Sequence, residues 1–187
     1  MKKIIEGNVV MESLHLTELF DLSDVEVTGS FSCRDNSLTS LKGSPHTVRN
    51  GFNCARNNLT DLVGAPKIVM MGFQCGNNKL TSLIGAPKIT DGDFYCSFNK
   101  LKSLVGAPTF IGGTFICSCN PLLISLDGIP ITINGDFWIN KSLKDEFPEK
   151  YIRSLSNIKG VIRYDPSIDE EDNDDDEEAG RDEDDDD

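Results

Sequence analysis

Apolar and polar positions recur along the chain with a period of 21 residues. The stretch FSCRDNSLTSLKGSP begins at Phe31, FNCARNNLTDLVGAP at Phe52, FQCGNNKLTSLIGAP at Phe73, FYCSFNKLKSLVGAP at Phe94 and FICSCNPLLISLDGIP at Phe115. Phe137 opens a further copy after 22 residues, one residue being inserted beside Leu122. A fixed period in the twenties marks stacked supersecondary units that share one elongated core, so the expected fold is a mainly β repeat solenoid.

The common frame is V-x-x-x-F-x-C-x-x-N-x-L-x-x-L-x-G-x-P. On an extended strand, positions i and i+2 face the same side, so each Phe and the Cys two residues later are expected to point into one interior. Cys33, Cys54, Cys75, Cys96 and Cys117 are therefore read as small core residues. Val27, Val48, Val69, Thr90, Ile111 and Ile133 open the turns four residues before each Phe. Asn36, Asn57, Asn78, Asn99 and Asn120 are expected to turn the chain inward as a structural ladder, because a buried amide can satisfy backbone groups that no strand or helix serves. Gly43, Gly64, Gly85, Gly106 and Gly128, each two residues before a proline, predict a non-helical return path.

Residues 1–26 contain a degenerate copy, with Gly7, Val9 and Met11 standing 22 before Gly29, Phe31 and Cys33, and are read as an N-terminal capping repeat. The repeats proper occupy 27–141. Residues 142–164 leave the pattern: Phe147, Tyr151, Leu155 and Ile158 fall on one helical stripe that Gly160 can end, which predicts a small C-terminal cap, with Val161–Tyr164 as a possible last strand.

Charge is unevenly divided. The net charge is −13, yet residues 168–187 hold 15 acidic residues against Arg181 alone, a net −14, which leaves +1 for residues 1–167. Residues 165–187 are thus expected to be a disordered acidic tail. No run resembles a signal-peptide core or a membrane span, and cytoplasmic residence is expected.

The F-x-C-x-x-N-x-L-x-x-L frame resembles the leucine-rich repeat, and the N-x-L-T-S-L-x-G-A-P ending resembles the repeats of bacterial effectors and, most closely, of tailed-phage proteins. The resemblance implies a short arc with a parallel concave sheet, a non-helical convex side and a role in protein binding without catalysis. Effector ubiquitin ligases with such repeats add a catalytic domain, and no segment after residue 141 is long enough for one.

The residue between the two inward strand positions should face out of the sheet. That column reads Val10, Ser32, Asn53, Gln74, Tyr95, Ile116, Trp138, and the column two places after the cysteine reads Asp35, Arg56, Asn77, Phe98, Cys119, then Lys141. Tyr95, Phe98, Ile116 and Trp138, with Gln74, Asn53 and Lys141 beside them, are the expected partner-binding residues, since exposed Trp and Tyr dominate interface energetics. Cys119 is expected to be the one solvent-facing thiol. His15 and His46 fall in no catalytic constellation, no CxxC pair or metal-ligand cluster occurs, and neither an enzyme nor a cofactor is expected. The expected function is a phage protein that binds a host defence or regulatory protein in the host cytoplasm and inhibits or redirects it. The alternative is a tail that mimics nucleic acid or chaperones basic proteins, a layout that resembles the acidic nuclear phosphoproteins. Direct nucleic-acid or membrane binding is not expected.

Overall fold

Each repeat unit forms two short parallel strands separated by a corner, and stacking the units lays these strands into ladders. In a computed structural model whose described residues are 3–165, the strand that begins at each Phe joins an eight-stranded parallel sheet: Val9–Val10, Phe31–Ser32, Phe52–Asn53, Phe73–Gln74, Phe94–Tyr95, Phe115–Ile116, Phe137–Asn140 and Ile162–Asp165. Over the described residues the protein is therefore a mainly β parallel solenoid with one short α-helix, Glu149–Leu155, after the repeats.

A second ladder runs along the strands four residues upstream, which the sequence pattern marks as core positions but not as strands. It is split into two four-stranded sheets, Lys3–Ile5 through Ile68–Val69 and Ile89–Thr90 through Asn157–Ile158. The rungs are missing where Ile68–Val69 meets Ile89–Thr90. At this junction Thr90 replaces the Val or Ile of the other turns; it is fully buried and its hydroxyl has no hydrogen-bond partner.

Strands end because the chain turns through the left-handed region. Asp35, Arg56, Asn77, Phe98 and Cys119 all have φ between 54° and 58°. The asparagine that follows each of them then enters the stack. Asn78 Oδ1 accepts the Leu59 N–H at 3.0 Å, and its Nδ2 donates to the carbonyls of Cys54 and Cys75 at 3.1 and 3.2 Å. Asn36, Asn57, Asn99 and Asn120 make the same kind of bonds one turn apart. Each amide thereby ties two turns together through backbone groups that would otherwise be buried and unpaired. On the return arm Gly85, at φ +102°, lies so close to the previous turn that a Cβ would collide with the Leu62 backbone.

The interior consists of columns. Phe31, Phe52, Phe73, Phe94, Phe115 and Phe137 are buried with neighbouring ring centroids 5.2–5.8 Å apart, stacked except for the edge-on pair Phe94 and Phe115. The cysteine, leucine and valine columns complete the core. At about 1.5–3 kcal/mol per buried large apolar side chain, each turn depends on its neighbours to cover it.

The C-terminal cap differs from its predicted form. The helix runs only from Glu149 to Leu155 and buries Ile152, while Tyr151 and Leu155 are exposed. Ile158 is not on a helical stripe, and Gly160 does not end the helix. Instead Asn157–Ile158 pairs with Thr132–Ile133, and Ser156 Oγ donates to the Pro130 carbonyl at 2.6 Å. Ile158 and Ile162 keep the four-residue spacing of the Val and Phe columns, so strand pairing takes precedence over helix continuation and the cap is a last partial turn. The acidic tail lies outside the described residues, apart from Asp165, which ends the last strand.

Candidate functional site

The outward position of the eight-stranded sheet forms one continuous cross-strand row. Register pairs Val10 with Ser32, Ser32 with Asn53, Asn53 with Gln74, Gln74 with Tyr95, Tyr95 with Ile116, Ile116 with Trp138 and Trp138 with Arg163. Chemistry changes along it. In the N-terminal half Ser32 Oγ donates to Glu12 Oε1 at 2.5 Å and Asn53 Nδ2 donates to Gln74 Oε1 at 3.0 Å. A depression of about 340 Å³ opens over these polar residues.

In the C-terminal half the aromatic residues are held by acids two residues upstream. Tyr95 donates its phenol to Asp93 Oδ2 at 2.9 Å, while Asp93 Oδ1 accepts the Thr114 N–H at 2.7 Å. Burial, with the Asp93 carboxylate as the second cause, raises the Tyr95 pKa above the usual phenol value. Asp136 Oδ1 accepts the Val161 N–H at 2.8 Å and Oδ2 accepts Arg163 Nε at 2.9 Å. These bonds, the backbone one first, hold the Asp136 carboxyl below its ordinary pKa. The Arg163 guanidinium then lies over the Trp138 ring, 5.3 Å from its centroid. Tyr95, Ile116 and Trp138 are each half-buried on adjoining rungs, a continuous apolar strip in which Tyr95 and Trp138 have side-chain partners.

The other candidate residues are placed around this row. Phe98 is 52% exposed but stands at the left-handed turn beyond the strand, at φ +57°. Lys141 is exposed at the start of the 3-10 turn Lys141–Leu143. Gln74 is exposed and Asn53 half-buried. Cys119 is not solvent-facing: it is 3% exposed. Strand alternation stops at its positive φ, and Asn140, on the longer last Phe strand, closes over this corner by bonding Asn120.

Arg163 is the residue of the row that the sequence reading missed. The signal was the spacing from Ile158 to Ile162, which sets the residue after Ile162 beside Trp138.

The thiol column is sealed. Cys54, Cys75, Cys96 and Cys117 donate to carbonyls of the following turn at 3.3–3.5 Å. Burial pushes the Cys33 thiol up to about 12 and raises Cys54, Cys75, Cys96 and Cys117 well above the ordinary value. Such thiols stay protonated and unreactive near neutral pH. Among the described residues no three His, Cys, Asp or Glu side chains gather closely enough to hold a metal ion, and no helix is long and apolar enough to cross a membrane. Comparison with protein-family models, with curated proteins and with solved structures found no match.

Proposed function

We propose that the protein is a non-catalytic binding module whose outer sheet row captures a protein partner through Tyr95, Ile116 and Trp138. The observation that carries this reading is the strip itself: three apolar side chains on adjoining rungs, one anchored by Asp93 and another stacked under Arg163. Rigid aromatic groups that are partly open to solvent bind with little loss of rotamer entropy, which is how a few residues come to dominate an interface. Phe98 adds a second feature, an exposed aromatic side chain at the left-handed corner where the other turns carry Asp35, Arg56, Asn77 and Cys119.

The likeness of the repeats to those of tailed-phage proteins extends the reading to a host partner that the module inhibits or redirects. Capture from bacterial lysate tests it, with the wild type beside Tyr95→Ala, Trp138→Ala and, as a control on the polar half, Gln74→Ala. One protein species that is held by the wild type and by Gln74→Ala, and lost from both aromatic variants, supports the reading. Equal capture by all four proteins overturns it.

A further inference from the structure

The middle turns carry exposed lysines that no acid among the described residues answers. Lys67, Lys79, Lys88, Lys100 and Lys102 are all exposed, and among the described residues none is in an ion pair. The described arginines are all paired: Arg34 and Arg56 with Asp35, Arg49 with Glu26, Arg153 with Glu149 and Arg163 with Asp136. The imbalance is written in the sequence, since Asp91 and Asp93 are the only acids between Leu62 and Leu126 and Asp93 is engaged by Tyr95 and Thr114.

The 21-residue period sets Lys67 beside Lys88 and Lys79 beside Lys100 in adjoining turns, whose backbones lie about 4.8 Å apart. Like charges placed across a ladder destabilise it. The junction that carries Lys67 and Lys88 is also the one whose rungs are missing. Beside these two lysines, Ile84 lines a depression of about 270 Å³ that both of them also line.

We infer that the C-terminal acidic segment of this same chain, residues 168–187, docks on this lysine ladder. Charge is complementary, a net −14 facing the five lysines of the middle turns, where acids are scarcest. The described chain ends at Asp165 in the last strand of the stack. From there 22 residues reach roughly 70 Å, whereas the turn of Lys67 lies four rungs, about 19 Å, away along the stack at about 4.8 Å per turn. A tether of this length holds the segment at an effective concentration in the millimolar range. Most cations nearer the chain end are partnered or diluted: Arg153 and Arg163 are ion-paired, Lys144 lies over the Tyr164 ring, and Asp145, Glu146 and Glu149 stand among Lys141, Lys144 and Lys150, whereas Lys159 is a single exposed charge. The attachment is salt-sensitive, the depression at Lys67 and Lys88 contains no residue of the Tyr95 row, and the inference does not depend on what that row binds.

Carbodiimide cross-linking of the dilute full chain, which joins carboxylates to lysines only at contact, tests it at about 0.01 M and about 1 M salt, where screening lengths are about 30 and 3 Å. The expected result is cross-links within one chain from residues 169–187 to Lys67, Lys79, Lys88, Lys100 and Lys102, lost at high salt. In the triple variant Lys67→Gln, Lys88→Gln, Lys100→Gln the yield at the two remaining positions, Lys79 and Lys102, should itself fall by more than half. Cross-links confined to Lys141, Lys144, Lys150 and Lys159, links spread evenly over every exposed lysine including Lys3 and Lys42, or links only between chains would overturn it.

Discussion

Tyr95 and Asp93 are joined across two residues by a 2.9 Å hydrogen bond from the phenol to Oδ2, so the tyrosine lies fixed on the sheet surface. The other carboxylate oxygen holds the Thr114 N–H of the next turn. One acid thus serves both the stack and the surface. Replacing it should cost both: Asp93→Ala is expected to lower stability by about 1 kcal/mol, since two partly exposed hydrogen bonds are lost. It should also lower the Tyr95 ionisation pH, which ultraviolet titration against a Tyr95→Phe reference measures.

The asparagine ladder should be far less tolerant. Asn78→Ala leaves the Leu59 N–H and the Cys54 and Cys75 carbonyls without their amide partner in the interior. A loss of about 3 kcal/mol or more is expected from orphaned buried groups, read as a shift of the urea midpoint. Asn78→Asp keeps an acceptor but no donor, and should be no better at neutral pH.

Thr90 is the inverse case, a polar side chain that the stack does not need. Thr90→Val fills the same volume without the unpartnered hydroxyl and is expected to gain about 1 kcal/mol. Hydrogen exchange at residues 88–92 should slow in this variant. Unchanged stability would show that water or an alternative rotamer already serves the hydroxyl.

Alkaline pH should unfold the protein through its thiols. Cys33, Cys54, Cys75, Cys96 and Cys117 have folded pKa values raised above the ordinary value near 9, Cys33 to about 12. Protonated thiols favour the fold, so this contribution is complete below pH 9. It is lost as pH rises from there towards 12, because the unfolded chain releases protons that the folded one keeps. Each thiol contributes a slope of up to about 1.4 kcal/mol per pH unit. Urea midpoints between pH 8 and about 10.5 should fall steeply in the wild type and less steeply in a Cys54→Ala, Cys96→Ala double variant.

Phe98 separates stability from binding. At φ +57° and with half its surface open, the ring gains little from packing while the backbone bears the cost of a left-handed residue. Phe98→Asn is expected to match or exceed wild-type stability by up to about 1 kcal/mol, because asparagine tolerates this region. Weaker partner capture by the same variant would mark Phe98 as part of the binding surface.

What the sequence made legible follows from which signals repeat. The Phe and Cys columns could be placed because a strand alternates every two residues and the period returns each pair to the same side. The second ladder is not legible as strand, since each of its strands has one recurring core position, such as Val48 in Thr47–Val48, and a single position shows no alternation. Cys119 is buried where strand alternation predicts an outward side chain, because alternation ends at the corner where φ becomes positive. Ile158 was assigned to a helical stripe although its four-residue spacing to Ile162 repeats that of Val27 to Phe31; a local helical pattern hid the solenoid register. In the candidate site, Tyr95, Ile116 and Trp138 share a column through the period alone. Their supports, Asp93 and Arg163, depend on side-chain reach that no column displays.

The most direct test of the binding row is the affinity of the captured partner for the wild type and for Trp138→Ala, measured together with their unfolding midpoints. Removal of a hot-spot tryptophan should weaken binding by about 30-fold or more, equivalent to about 2 kcal/mol. Loss of its stacking with Arg163 should cost the fold no more than about 1 kcal/mol. Unchanged affinity, or a stability loss as large as that expected for Asn78→Ala, would contradict the account.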